Sequence, residues 1–229
     1  PDSLKEMQRN WIGKSKGATI KFKIKNSEHE IEIFTTRPDT LFGVTFMNLA
    51  PEHELVLKIA KRNQIKKIRE YIDQVSNKSD RERITENQII SGFFTGAYAI
   101  HPLTLENIPI WTSDYVLAGY GTGAVMAVPC GDERDYSFAK KFGIPIKNIF
   151  KNIDISESAF IEKKDFTFKN SKILDGLKFD QAYIKIIKHI EKLGCGKETV
   201  NYKIRDSIFS RQRYWGEPIP IYYVNGLPK

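Results

Sequence analysis

Two stretches near the beginning of the chain alternate between apolar and polar residues. In residues 19–25, the apolar side chains of Ile20, Phe22 and Ile24 fall at every second position, and residues 30–34 repeat the alternation. A period of two gives a strand one apolar face. Because an Asn-Ser pair between the two stretches can turn the chain, the pattern predicts a β-hairpin.

Other apolar runs predict further strands and helices. Short runs bounded by turn residues are typical of buried strands. They occupy residues 41–50, 93–100, 108–117 and 124–128. Helical spacing marks residues 52–60, 64–75 and 179–193. The last of these is amphipathic, and Gly194 follows it as a C-cap. Its apolar face combines Ala182, Ile186, Ile190 and Leu193. Since strands dominate, we predict an α+β fold with a mixed, β-barrel-like sheet and peripheral helices.

Residues 119–138, GYGTGAVMAVPCGDERDYSF, combine glycines, a predicted strand, a proline and a predicted helix start. Glycine frees the backbone for close approach to a neighbour. Asp132 falls at a helix N-cap position with Asp135 three residues on, and this helix, 132–142, is expected to end at Gly143. The stretch predicts a pocket with a carboxylate beside a helix N-terminus. Ordinary capping and dipole effects are the alternative for both aspartates.

Residues 35–40, TTRPDT, form a dense run of side chains that can make hydrogen bonds. Pro38 has no amide hydrogen, and from it we predict that no helix forms in this run. Threonines in such a turn commonly bond to their own backbone. The composition of the run nevertheless makes an inert spacer a poor description of the chain.

Composition limits the class of protein. The 229 residues are 41% hydrophobic, which is enough for one large domain with or without extensions. The net charge of +8 favours a polyanionic partner, although a lysine-rich solvated surface would give the same charge. The chain begins at Pro1 without a methionine, and we expect it to be a segment of a longer protein.

The cysteines and the apolar runs exclude other classes. Cys130 and Cys195 form no CxxC motif, which argues against a zinc site and a disulfide scaffold. No histidine base flanks Cys130, so buried packing is its better interpretation. No apolar run approaches the length of a membrane span, and the sequence shows no signal peptide. We therefore expect a cytoplasmic protein with no membrane association.

Two motifs taken together resemble the editing domain of leucyl-tRNA synthetase, a class I aminoacyl-tRNA synthetase. They are TTRPDTLFGVT at residues 35–45 and GTGAVMAVPCGDERDYSF at residues 121–138. The resemblance extends over nearly the whole chain. It implies a lead-in linker strand at 1–17, which includes residues 7–13, an editing domain at 18–200, and a strand at 201–229 that returns to the synthetase body.

Related families remain alternatives. The editing domains of isoleucyl and valyl enzymes carry similar threonine-rich motifs, but Asp39 and the run around Ala127–Pro129 suit the bacterial leucyl type. One departure is Cys130-Gly131, where many bacterial members have a small residue followed by histidine. The departure indicates that a histidine there is not essential to the chemistry.

The resemblance implies hydrolysis of the ester in tRNA(Leu) mischarged with norvaline or isoleucine, with leucine excluded. Asp135 would anchor the α-ammonium group, which a carboxylate binds well. Thr40 would be the steric stop against leucine, because a branched Cβ is stiff at χ1. Thr35 and Thr36 would position the carbonyl, the water or the ribose. Asp132 would cap the helix and support the site.

Further residues of the implied site have plain alternatives. Arg37 would bind a phosphate near the tRNA 3′ end or form a salt bridge. Tyr120 would bracket the terminal adenosine or be buried. Met126 and Val128 would line the pocket, pack in the core, or both. No residue set offers a nucleophile, so we predict direct attack by water, assisted by the adjacent ribose hydroxyl.

The resemblance also implies partners and cofactors. Editing needs no metal or organic cofactor, whereas ATP and Mg are expected only in the synthetic domain, whose motifs this chain lacks. The partners would be the 3′-terminal aminoacyl-adenosine of tRNA(Leu) and the rest of the synthetase, with the segment itself monomeric. The alternative function is a non-catalytic module that binds the tRNA 3′ end or adenosine.

Overall fold

A computed structural model describes residues 1–78, 82–83, 90–119, 121–162, 164–202, 223–224 and 227–228. The chain divides into two compact units. One unit combines Pro1–Ser15 with Asn201–Lys229, and the other is Lys16–Val200. The candidate site lies in the second unit.

Helices and strands alternate irregularly along the chain. The described α-helices are α1 (Asp2–Ile12), α2 (Leu55–Ile59), α3 (Ile65–Ser76), α4 (Glu133–Phe142) and α5 (Phe179–Lys192). In the same part of the chain, two 3-10 helices span Pro38–Gly43 and Lys172–Leu174. The described strands are β1 (Lys14–Ile24), β2 (Glu30–Thr35), β3 (Phe46–Leu49), β4 (Gly92–Ile100), β5 (Asn107–Ser113), β6 (Ala124–Ala127), β7 (Gly196–Tyr202), β8 (Tyr223–Val224) and β9 (Leu227–Pro228).

Seven strands form one mixed sheet in the order β2-β1-β4-β5-β3-β6, with β7 paired to β1. Strands β3 and β5 run parallel, whereas the β1–β2, β3–β6 and β4–β5 pairs are antiparallel. The two ends of this order, β2 and β6, approach within 8 Å between Cα atoms. No ladder joins β2 to β6 in the described residues. The α+β class is confirmed, and the sheet curls without closing into a barrel.

The predicted hairpin is confirmed, and its strands extend beyond the residues that alternate between apolar and polar. Ile20 faces Ile33 across the β1–β2 ladder, and Phe22 faces Ile31. A Cβ atom at Gly17 would overlap the carbonyl oxygen of Thr35, so only glycine allows the two backbones to approach this closely. The hairpin therefore places the threonine-rich segment directly at the end of β2.

An aromatic cluster holds α4 against the sheet. The Phe138 ring lies 5.1 Å from the Phe46 ring on β3 and 5.5 Å from the Trp111 ring on β5. Phe46 and Phe138 are fully buried. Since burying a large apolar side chain contributes about 1.5–3 kcal/mol, this cluster fixes the helix that carries Asp135.

The segment at residues 1–17 differs from the expected linker strand, because it begins with helix α1. Its residues are mainly good helix formers, among them leucine, lysine, glutamate, methionine and arginine. Gly13 ends the helix in the left-handed region at φ 61°, as a C-cap glycine does. The expected strand is therefore replaced by a helix from Asp2 to Ile12.

The prediction that Pro38 excludes a helix is wrong. Pro38 is the first residue of a 3-10 helix, where its missing amide hydrogen is not needed for a helical hydrogen bond. The strand predicted at 41–50 is consequently shortened to β3. The strand predicted at 108–117 ends at Ser113. Leu193, which was predicted to lie on the apolar face of the last helix, follows the end of α5 and is 53% exposed.

The helix predicted at 132–142 is confirmed, with Asp132 as its N-cap and Gly143 as its C-cap. Most of residues 201–229, the predicted return strand, falls outside the described residues. Among the helices that the structure describes, none has the length and apolar character needed to cross a membrane.

Candidate functional site

A cavity of about 530 Å³ lies beside the end of β2 and the first turn of α4. We call it the Asp135 cavity. Its lining includes Thr35, Thr36, Met126, Asp132 and Asp135, five of the residues predicted from the sequence. Its other lining residues are Phe34, Tyr115, Val116, Leu117, Val125 and Arg134. The volume is that of a small-molecule site.

Asp135 is held in place by the N-terminus of α4. The Oδ1 atom of Asp132 accepts hydrogen bonds from the backbone amides of Arg134, at 2.9 Å, and Asp135, at 3.2 Å. This is the side-chain cap that the sequence predicts. Because Asp132 satisfies these amides, the carboxylate of Asp135 is free to reach other elements.

Two donors from outside α4 bind the Asp135 carboxylate. The backbone amide of Val128 donates to Oδ2 at 2.8 Å, and the hydroxyl of Tyr115 donates to Oδ1 at 2.8 Å. Val128 directly follows β6, and Tyr115 follows β5. The tertiary fold therefore brings three separate segments together around one carboxylate.

Burial dominates the electrostatics of Asp135. The side chain is 7% exposed, and its pKa is raised to about 7, first by desolvation and second by the negative charge of Asp132. The donors at Val128 and Tyr115 oppose this rise in pKa. No ion pair observed among the described residues includes Asp135. A buried carboxylate without a cationic partner is suited to an ammonium ligand.

Tyr115 is a site residue that the sequence analysis missed. Burial raises its pKa well above 10, and the Asp135 charge raises it further, so the hydroxyl remains a protonated donor. Tyr115 belongs to no recognised motif and lies just after a strand. Only the pairing of that strand with its neighbours shows which carboxylate the hydroxyl reaches. Arg134, which also lines the cavity, lies between the two aspartates in the sequence, so its position close to the site follows from the motif.

The two threonines at the end of β2 meet at the Asp135 cavity. Thr35 Oγ1 accepts a hydrogen bond from the Arg37 amide at 3.0 Å, which turns the chain away from the strand. The Thr36 side chain is exposed and also lines the cavity. Both residues therefore line the same cavity as Asp135.

Thr40 lies outside the lining of the Asp135 cavity. It is 3% exposed, and its hydroxyl donates to the carbonyl oxygen of Arg37 at 2.8 Å. This is a hydrogen bond to the backbone of its own turn, the alternative that the sequence analysis gives for threonines in this run. The 3-10 helix around it is anchored by His101, whose Nε2 lies 2.9 Å from the Leu41 carbonyl oxygen. The backbone amides of Leu103 and Thr104 donate to Nδ1 of the same ring, so Nε2 carries the hydrogen and donates this bond. Burial lowers the His101 pKa.

Arg37 forms a salt bridge with a buried partner. Its Nη2 lies 2.8 Å from Asp39 Oδ2, and its Nε bonds to both carboxylate oxygens at 3.1 Å. The guanidinium also lies over the Phe179 ring, 5.2 Å from the centroid. The phosphate-binding role of Arg37 stays a prediction.

The remaining predicted site residues differ in what the structure shows. Met126 lines the cavity and is 8% exposed, whereas Val128 contributes through its backbone. Tyr120 lies outside the described residues. Cys130 is fully buried, and burial raises its pKa to about 12, so the thiol is protonated and packs in the core. In the described part of the chain, no group of three histidine, cysteine or acidic residues is placed to hold a metal ion.

The chain matches known proteins along its whole length. The family model "Leucyl-tRNA synthetase, editing domain" matches residues 9–191. A leucine–tRNA ligase of Christiangramia forsetii is 58% identical over 228 residues, which cover 100% of this chain and 24% of that protein. One of Flavobacterium johnsoniae is also 58% identical, with the same coverage of both chains. The chain thus spans about a quarter of these relatives.

A solved structure agrees with these sequence matches. It is the ternary complex of an Agrobacterium radiobacter K84 leucyl-tRNA synthetase with tRNA and LeuAMS. The likeness has a TM-score of 0.72 at 34% identity and covers 100% of this chain and 25% of that one. Since the family match covers most of the sequence and the fold agrees with it, this chain belongs to the leucyl-tRNA synthetase editing-domain family.

Proposed function

We propose that this chain hydrolyses the ester bond of mischarged tRNA(Leu), removing norvaline or isoleucine and sparing leucine. The observation that carries the proposal is the buried Asp135 carboxylate, which forms no ion pair among the described residues, in a cavity that two threonines also line. An aminoacyl ester differs from most other ligands in combining a free ammonium with a reactive carbonyl. The cavity offers a partner for each of these groups.

Asp135 binds the α-ammonium of the aminoacyl group. A carboxylate and an ammonium form a charge-assisted hydrogen bond, which is about twice as strong as a neutral one. The approaching positive charge favours the ionised form of Asp135, so its pKa falls when the substrate binds. The amide of Val128 and the hydroxyl of Tyr115 hold the carboxylate oxygens in position for this contact.

The hydrolytic step uses water as the nucleophile. The oxygen of a water molecule adds to the ester carbonyl carbon, and the tetrahedral intermediate then breaks its bond to the ribose oxygen. One proton of the water passes to that leaving oxygen, and the products are a free amino acid and a free tRNA end. Thr35 and Thr36 orient the carbonyl or the water, and the neighbouring ribose hydroxyl assists. Orientation is a large part of catalysis for an ester already activated in this way.

Exclusion of leucine requires a steric difference within the site. Binding pockets separate amino acids that differ by one methylene by only about 1–3 kcal/mol, so synthetases need a second, hydrolytic selection. We assign the steric stop to Thr40 on the basis of the motif resemblance. Its side-chain rotamer is locked by the hydrogen bond to the Arg37 carbonyl, as a rigid stop requires.

The proposal includes the molecules with which the chain works. The substrate is the 3′-terminal aminoacyl-adenosine of tRNA(Leu), and the remainder of a leucine–tRNA ligase that uses ATP and Mg surrounds the editing domain. Arg37 and Tyr120 are assigned to the phosphate and the adenosine of that end. The editing step itself uses neither a metal nor an organic cofactor. We place the protein in the cytoplasm, with the segment monomeric.

Single-turnover deacylation tests the proposed function. Excess chain is mixed with isoleucyl-tRNA(Leu) or norvalyl-tRNA(Leu), and the surviving ester is measured over time. We expect rapid loss of both esters and survival of leucyl-tRNA(Leu). The alternative, a module that only binds the tRNA end, predicts complex formation with all three RNAs and no hydrolysis above the spontaneous rate.

A further inference from the structure

Arg83 is a buried arginine that lies outside the lining of the Asp135 cavity and yet contacts its wall. Its side chain is 3% exposed. Nε donates to the carbonyl oxygen of Asp114 at 2.8 Å, and Nη2 donates to the carbonyl oxygen of Val116, also at 2.8 Å. These two residues flank Tyr115, whose hydroxyl bonds to Asp135. One side chain therefore holds the backbone on both sides of the tyrosine that binds the Asp135 carboxylate.

This pair of bonds depends on the shape of arginine. The planar guanidinium presents its N–H groups in fixed directions, so one side chain can set the separation and orientation of two carbonyl groups. A lysine carries the same charge as a single point on a flexible stem. Arg83 therefore contributes geometry at this position as well as charge.

Glu52 compensates the buried charge of Arg83. The Nη1 atom lies 2.6 Å from Glu52 Oε1, so each of the three guanidinium nitrogens has a partner. A buried charge is tolerated when it is paired and its hydrogen bonds are made. Because its three partners come from separate parts of the chain, the guanidinium has one favoured position.

Neighbouring side chains hold the start of the same turn. The Tyr71 hydroxyl on α3 accepts a hydrogen bond from the Asp114 amide at 2.9 Å, and Lys78 Nζ lies 3.4 Å from the Asp114 carboxylate. Since β5 ends at Ser113, strand pairing no longer fixes the backbone here, and side chains supply its partners. These contacts all precede the tyrosine, whereas Arg83 bonds on both sides of it.

We propose that Arg83 is a positioning residue of the hydrolytic site, which acts through Tyr115 on the Asp135 carboxylate. This inference rests on the proposed function. A site works only when the side chains that hold its reacting groups are themselves fixed in position. With the turn released, Asp135 keeps its bond from the Val128 amide and loses the one from the tyrosine hydroxyl.

Other titratable groups also act on Asp135. Asp132, at the start of α4, raises its pKa, and Arg134 lowers its pKa. The Cys130 thiol is uncharged, because burial raises its pKa to about 12. Arg83→Lys leaves all three groups unaltered and keeps a positive charge at its own position. A change of the Asp135 pKa in that variant therefore reports the position of the tyrosine hydroxyl.

The Asp135 pKa, measured without substrate, tests the inference. Carboxyl NMR signals of the chain are titrated, and the Asp135 signal is identified by its loss in Asp135→Asn. The bond from Tyr115 lowers the Asp135 pKa, so Arg83→Lys should raise this pKa by roughly half a unit to one unit. Arg83→Ala should raise it at least as far, and Arg83→Lys decides the matter if the alanine variant does not fold.

The matched control separates positioning from stability. Ile68 is fully buried on α3, and Ile68→Val removes one methylene from the core without touching the turn at residues 114–116. It should lower stability slightly and leave the Asp135 pKa unchanged. An unchanged Asp135 pKa in Arg83→Lys, or an equal shift in Ile68→Val, would overturn the inference.

A double variant shows whether Arg83 acts through the tyrosine. Tyr115→Phe already removes the hydroxyl, so adding Arg83→Lys to it should produce no further shift of the Asp135 pKa. Shifts that add in the double variant would show that Arg83 acts on the carboxylate by another route.

Deacylation relates the pKa to the proposed function. Since the ionised carboxylate binds the ammonium, raising the Asp135 pKa above about 7 should lower kcat/KM on isoleucyl-tRNA(Leu) at pH 7 by about two- to fivefold. The midpoint of kcat/KM against pH should move upward, as in Tyr115→Phe. A uniform loss of kcat/KM with an unchanged midpoint would leave Arg83 a purely structural role. Absence of hydrolysis by the unaltered chain, with the NMR shifts as expected, would instead reject the proposed function.

Discussion

Asp135 and Thr40 occupy the same position in two different helix starts, and the structure uses them in opposite ways. Each is the third residue of a helix that follows a strand. Asp132 caps α4 with its side chain, so the Asp135 carboxylate extends to Tyr115 and Val128. The 3-10 helix has no side-chain cap, and both the amide and the hydroxyl of Thr40 bond to the Arg37 carbonyl.

The difference shows how a local cap decides whether a side chain is available to a ligand. Where a cap satisfies the first backbone amides, a polar side chain at the third position is released for tertiary contacts. Where the cap is missing, the side chain is drawn back to its own turn. Asp135 thus presents its carboxylate to other elements of the fold, while Thr40 is held within its own turn.

The largest expected effect is that of Asp135→Asn. The amide keeps the shape of the side chain but loses the negative charge that binds the ammonium, so we expect deacylation of isoleucyl-tRNA(Leu) to fall by about 100-fold or more. The measurement is single-turnover kcat/KM. Activity close to that of the unaltered chain would remove Asp135 from the mechanism.

The same variant has a distinct stability signature, which serves as its control. Folding raises the Asp135 pKa from 3.8 to about 7, so the folded state binds the proton more tightly. The free energy of unfolding of the unaltered chain should therefore fall as pH rises from about 4 to 7. Asp135→Asn should lose this contribution, and denaturant unfolding at several pH values measures it.

Thr40→Ala should have the next largest effect, on specificity. Removing the branched side chain opens space for the γ-branched leucine, and we expect hydrolysis of leucyl-tRNA(Leu) to rise roughly 10–100-fold. Hydrolysis of norvalyl-tRNA(Leu) should change little. Thr40→Ser keeps the hydroxyl bond to the Arg37 carbonyl and removes only the methyl group. Hydrolysis of leucyl-tRNA(Leu) by this variant would assign the exclusion of leucine to the methyl group rather than to the geometry of the turn. Survival of leucyl-tRNA(Leu) with both variants would contradict the assignment.

Tyr115→Phe should shift the pH dependence by a smaller amount. The Tyr115 hydrogen bond lowers the Asp135 pKa from the value that burial alone would give, so its loss should raise that pKa further above 7. Because the ionised carboxylate binds the ammonium, the midpoint of kcat/KM against pH should move upward by roughly one unit. Tyr136→Phe is the control on α4. Equal midpoints in the two variants would assign Tyr115 a packing role only.

Asp132→Asn should produce the smallest effect, in the opposite direction. Asparagine caps a helix as well as aspartate does, so the stability of α4 should be nearly unchanged. The lost negative charge, however, no longer raises the Asp135 pKa, and the midpoint of kcat/KM should move downward. An unchanged midpoint would mean that the charge of Asp132 does not act on Asp135.

The sequence by itself determined the features that depend on neighbours along the chain. Asp132 and Gly143 bound α4, the alternation of Ile20 and Phe22 identified the hairpin, and two motifs identified the family. Each of these signals acts over a few residues, through backbone hydrogen bonds or the period of a strand. The same kind of reasoning failed at Pro38, because proline permits the first residue of a helix while excluding its interior.

Only the tertiary structure decided what surrounds the Asp135 carboxylate. Tyr115 reaches it because β5 and β6 belong to one sheet, and strand order depends on packing across the whole core rather than on local sequence. The raised pKa of Asp135 has the same origin, since desolvation is a property of the assembled fold.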